Sequence, residues 1–218
     1  MMIIYRQRVK NRWLLAVSYL LLITMFFVMA RDVYFQNVTL FIQDVFAPNS
    51  LGIGVLLSSL WYLSLPEAKV LVVIRASRTQ TMFLPKWRQL WCVSLVGALP
   101  WTVGTAVILV HARVFNPWLP TVIVFFAYLC TLILWGMLIW ALALLLRNRI
   151  IGSIVIILIA LGHIFVRELS KGPFADWSPL LVGGWYHLTP WVKGGEFLLL
   201  AGILTGAILF MTERYEYR

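Results

Sequence analysis

The sequence predicts an all-α polytopic membrane protein with six transmembrane helices and both termini on the cytoplasmic side. Three observations lead there. Of the 218 residues, 62% are hydrophobic and only 12% are charged, against about 25% charged in soluble domains. Six apolar stretches each come near or above the ~20 residues that cross a bilayer. The basic residues between those stretches gather on one side. A soluble core of this size could not hide so much apolar surface, because surface area falls slowly with chain length. Mean hydropathy is +0.91, and six spans with their loops use up residues 1–218 as a single transmembrane domain.

The elements follow in order. Residues 1–12 carry Arg6, Arg8, Lys10 and Arg12, which read as an interfacial segment or as a charged tail that sets topology. Span one covers 13–30. A signal peptide is the rival reading, since Val28-x-Ala30 resembles a cleavage site, but the apolar run exceeds a usual signal core. Phe35, Val38, Phe41, Ile42 and Val45 have helical spacing, predicting either an interfacial helix or the first turns of span two. Pro48-Asn49 marks a turn, and span two runs over 51–65 to Pro66.

Residues 68–88 mix apolar and basic side chains. Span three covers 90–110, followed by a short turn with two prolines, Pro117 and Pro120. Span four runs over 121–146 and stops at Arg147-Asn148-Arg149. Span five covers 150–166. Residues 167–193 hold Pro173, Pro179, Pro190, the Gly183-Gly184 pair and, among their aromatic side chains, Trp177, Trp185, Tyr186 and Trp191. Span six covers 194–211, before the tail ERYEYR. With the amino terminus inside, 13 of the 18 Lys and Arg residues fall in inner segments and 5 in outer ones, as the positive-inside rule requires.

Absences narrow the function. No G-x-x-x-x-G-K-[ST] is present, so a phosphate-cradling P-loop is excluded. No H-E-x-x-H or G-x-S-x-G occurs, and His111, His163 and His187 are scattered. Cys92 and Cys130 lie in apolar runs and read as packing residues. The net charge of +10 orients spans and meets anionic lipid heads. No nucleic acid partner is expected, because no basic surface interleaved with aromatic side chains exists outside the spans. Glu67 and Lys69 are two apart and do not share a helix face. Glu196 and His163 lie near an interface, so no proton relay is expected.

Two segments carry positive signals. In 68–88, Arg75, Arg78, Lys86 and Arg88 lie among Val72, Ile74, Met82, Phe83, Leu84 and Trp87. Such a basic amphipathic stretch either lies on the anionic inner leaflet or docks on a cytoplasmic partner. Residues 167–193 are too apolar for a solvated loop and too broken for a span. They read as a re-entrant hairpin in the outer leaflet, or as an aromatic loop on its surface.

This layout resembles the membrane subunit, or permease, of type-2 ABC exporters of the small bacterial peptide and drug exporter kind. The residues that carry the resemblance are the basic start through Arg12, the stretch IRASRTQTMFLPKW, and the broken segment GPFADWSPLLVGGWYHLTPW. Residues 30–49 have no counterpart in it. The resemblance implies a coupling helix between spans two and three and a re-entrant outer hairpin between spans five and six. It implies a second permease subunit, identical or related, and a cytoplasmic ABC ATPase subunit that holds ATP and magnesium. This chain would itself be non-catalytic, with no cofactor of its own. Arg75, Arg78, Lys86 and Trp87 would meet the ATPase, and a hydrophobic or amphipathic substrate such as a peptide, drug or lipid-like molecule would leave across a bacterial plasma membrane.

Two other classes compete. One is a small-solute, vitamin-like binding subunit of an energy-coupling-factor importer. Span one lacks the small-xxx-small docking face of those proteins, since Ala16 is followed four residues later by Leu20. The other is an intramembrane enzyme, which needs a convergence of acids, histidines or a nucleophile that the spans do not supply.

Overall fold

A helix that is apolar on every side ends up at the centre of a bundle or against lipid. Here one helix takes the central place and three others lean on it. The computed structural model describes Val17, Leu20, Thr24, Val28, Arg31, residues 33–45, residues 83–170 and residues 190–214. Within these, α1 is Val38–Val45, α2 is Leu84–His111, α3 is Trp118–Leu145, α4 is Arg149–Ser170 and α5 is Pro190–Arg214. All of the regular structure described is helical.

Three of these helices, α2, α3 and the Trp191–Arg214 part of α5, are long and apolar enough to cross a membrane. In α4 the stretch Ile150–Gly162 is apolar but shorter. The molecule is therefore a helical membrane protein by the length and composition of its helices. Span two, the 1–12 segment, residues 68–82 and residues 171–189 lie outside the described residues.

Helices α2 to α5 fall on the segments expected as spans three to six, with shifted ends, and α2, α3 and α5 among them are long and apolar enough to cross a membrane. Span three was expected from residue 90, yet α2 starts at Leu84. Pro85 stands in its first positions, where a missing N–H costs nothing and the fixed φ suits a helix. Span six was expected from 194, yet α5 starts at Pro190 for the same reason. Pro100 lies inside α2, a position tolerated in membrane helices when neighbours satisfy the freed carbonyl.

The helix α3 is buried on most sides, with Tyr128, Trp135, Trp140 and Met137 almost fully enclosed. It packs most extensively on α2, then on α5 and α4. Leu90 of α2 lies across Gly136 of α3, where a Cβ would meet Leu90 Cδ1 at 2.1 Å. Trp101 of α2 stacks on Tyr128 of α3 with ring centroids 5.0 Å apart and planes 9° apart. Toward α4, Gly152 lies against the backbone of Ala143, and an added Cβ would come within 2.9 Å of it. Small residues let helix backbones approach in lipid, where packing replaces the hydrophobic effect as the driving force. On α5 the packed stripe is Phe197, Ala201, Leu204, Ile208 and Met211, spaced three and four apart as one helix face requires.

The helix α1 confirms the helical spacing read around Phe41. The Leu40 N–H donates to Asn37 Oδ1 at 3.1 Å, an amino-terminal cap. Phe41 and Val45 turn inward while Leu40 and Gln43 face out. The hydroxyl of Tyr128 donates to the Val45 carbonyl, which ties α1 to the central helix.

Polar side chains within the helices mostly satisfy themselves. Thr102, Thr105, Thr205 and Thr212 each donate to the carbonyl four residues earlier, at 2.6 to 2.9 Å. That bond removes a hydroxyl from competition with lipid. Thr131 Oγ1 and Ser153 Oγ are the buried exceptions among the described residues.

Candidate functional site

Of the expected partner-contact residues, Lys86 and Trp87 fall within the described chain, and both lie in the first turn of α2. Arg75 and Arg78 lie outside it. The first turn of α2 is held by rings. Phe83 is buried and stacks on Trp87 with centroids 5.6 Å apart and planes 15° apart. Its other neighbour is Trp140 of α3, at 5.2 Å and 30°. Trp87 in turn meets Trp91 edge-on at 6.2 Å. Lys86 Nζ stands 5.9 Å from the centroid of Trp140, within the range where a ring quadrupole attracts a cation.

These contacts make a joint. Each aromatic pair adds about 0.5–1.5 kcal/mol beyond the area it buries, and the cation adds about 0.5–2 kcal/mol. The chain therefore passes from residues 68–82 into α2 through a packed cluster fastened to the most buried helix of the bundle. Lys86 and Trp87 remain partly exposed, so the joint has a face toward its surroundings.

Sequence reasoning missed Phe83 and Trp140 as parts of this cluster. Trp140 lies deep in an apolar run, where nothing in the pattern separates a ring against lipid from a ring against a neighbouring helix. The spacing of Phe83 and Trp87, four apart, is the one local signal, since side chains at that spacing share a helix face.

The other expected segment, residues 167–193, ends in the first turn of α5. Trp191 is 89% exposed in the first turn of α5, as suits a ring at the level of lipid headgroups. Trp177, Trp185 and Tyr186 lie outside the described residues. Two residues on, Lys193 is buried, and its Nζ lies 2.8 Å from Glu196 Oε2. A lysine can be enclosed here because a carboxylate one turn later accepts from it. The two are three apart, as a shared helix face requires, and Lys193 lies in α5 rather than in the expected loop over 167–193.

Cys92 and Cys130 are both free thiols. Among the described residues no three His, Cys, Asp or Glu side chains gather closely enough to hold a metal ion. At the other end of α5, the Arg214 guanidinium lies over Phe210 at 4.2 Å, a cation at a helix carboxyl end where the dipole favours it. Comparison with known proteins finds no matching family model, no matching curated protein and no matching solved structure.

Proposed function

We propose that this chain is the permease subunit of an ATP-driven exporter that moves a hydrophobic or amphipathic substrate outward across a bacterial plasma membrane. In this reading a second permease subunit completes the path. A cytoplasmic ABC ATPase subunit, which holds ATP and magnesium, closes on ATP and pushes on residues 68–88. Arg75 and Arg78 make the contact. Lys86 and Trp87 pass the displacement into the bundle.

The observation that supports it is the joint of Phe83, Lys86, Trp87 and Trp140. A push on a flexible loop dissipates, whereas a push on a segment packed against the central helix moves that helix as a rigid body. Alternating access in transporters is largely rigid-body rocking of this kind, and close-packed interiors carry such displacements. Tryptophan and arginine are also the residue types that dominate interface energy.

The test is charge reversal. In membranes holding the chain with its ATPase, Arg75→Glu with Arg78→Glu is expected to abolish substrate-coupled ATP hydrolysis while the protein still inserts. Coupled hydrolysis at the normal rate after that double change would remove the assignment.

A further inference from the structure

The face of α2 away from the central helix borders an open groove of about 280 Å³. One wall comes from the amino-terminal helical residues, with Val28, Arg31 and Phe35, and the other from α2, with Pro100, Val103 and Val107. We propose that this groove docks one acyl chain of a phospholipid, with the phosphate of the same lipid held at Arg31.

The shape argues for a chain. The α2 wall runs from Pro100 to Ile108 at spacings of three and four, so the groove extends ~12 Å along the helix axis. A helix that crosses a bilayer stands roughly along its normal, so this slot lies parallel to the surrounding lipid tails.

The chemistry argues for a lipid with an anionic head. Among the described residues the walls are apolar but for two side chains, Thr24 and Arg31. Thr24 donates its hydroxyl to the Leu20 carbonyl at 2.7 Å, so it presents little polarity to an occupant. Arg31 stands at the end of the groove where the Phe35 ring meets His111, with centroids 4.3 Å apart. That is the last residue of α2, and Arg113 follows in the exposed turn beyond it. The groove thus has an apolar body and a cationic rim at one end of a membrane helix, the arrangement of a lipid's own tail and headgroup. A guanidinium pairs with phosphate in a planar fork. Phosphates line both faces of a bilayer, so the inference does not depend on which side this end occupies, nor on the exporter reading.

Native mass spectrometry of the full chain, released from detergent, tests it with palmitoyl-oleoyl phosphatidylglycerol and with the diacylglycerol of the same chains. The wild-type chain should retain the phosphatidylglycerol and hold the diacylglycerol about tenfold more weakly, the value of one or two charge-assisted hydrogen bonds. Arg31→Gln should bring the two lipids level. Val107→Trp, which fills the groove without touching the cation, should weaken both, while Val122→Trp on the exposed face of α3 should leave both as they were. Equal retention of the two lipids by the wild-type chain overturns the proposal without any variant. So does unchanged phosphatidylglycerol retention in Val107→Trp. Efficient disulfide cross-linking between copies carrying Val103→Cys would give the groove to a second copy and overturn it as well.

Discussion

Tyr128 has two jobs in one side chain. Its ring stacks on Trp101 at 5.0 Å and its hydroxyl donates to the Val45 carbonyl, so one residue of α3 fixes both α2 and α1. Tyr128→Phe keeps the stack and deletes the bond. It should cost about 1–2 kcal/mol, since the Val45 carbonyl loses a buried donor, read as a fall in the denaturant needed to unfold the chain in micelles. An unchanged midpoint would mean that the hydroxyl does not hold α1. None of this was legible in the sequence, because Tyr128 sits in an unbroken apolar run and its partner lies 83 residues away. Two arginines show the same limit. Arg113 and Arg147 have φ of 54° and 53°, a left-handed conformation usually left to glycine at helix ends. The sequence marks these turns by charge, not by conformation. Both positions close a helix, with the Arg113 N–H donating to Val110 O and the Arg147 N–H to Leu144 O.

At the scale of the elements, the turn between α3 and α4 shows how short loops force antiparallel neighbours. Asn148 Oδ1 accepts from the Ile150 and Ile151 N–H groups at 2.9 and 3.2 Å, capping α4 three residues after α3 ends. The Arg147-Asn148-Arg149 break predicted this boundary, and the cap is the reason it holds. One turn further, Gly152 lets α4 close on Ala143. Gly152→Val should separate the helices and cost about 1–3 kcal/mol by overpacking. Gly162→Val, where an added Cβ meets nothing within 4 Å, should stay within about 0.5 kcal/mol. Equal unfolding midpoints for the two variants would show that the close approach does not matter. The sequence offers both glycines inside apolar runs and gives no way to tell them apart, because the difference lies in what stands opposite.

The described helices are organised around α3, with α2, α4 and α5 on its flanks, and the charge pattern of the chain makes a directional prediction about the membrane. With the amino terminus inside, the turn after α2 faces out and the turn after α3 faces in. Phe115 and Arg147 are both exposed in those turns. In intact cells, Phe115→Cys should react with a membrane-impermeant maleimide and Arg147→Cys only after permeabilisation. The reverse pattern would invert the topology and place residues 68–88 on the wrong side for a cytoplasmic motor.

The sequence by itself determined the apolar, helical class and the positions of the helices from 84 onward, the largest shift being the start of α2 at Leu84 against an expected 90. Those properties depend on local composition: the length of an apolar run, the residues that break it and the charges beside it. Only the tertiary structure decided that α3 is the hub, that Lys86 and Trp87 are fastened to it through Phe83 and Trp140, and that Lys193 is buried beside Glu196. In a chain this apolar, hydrophobicity no longer separates inside from outside. Lipid and protein accept the same side chains, so the choice of neighbour falls to shape and to a few polar atoms, and both become visible only when the helices are set side by side.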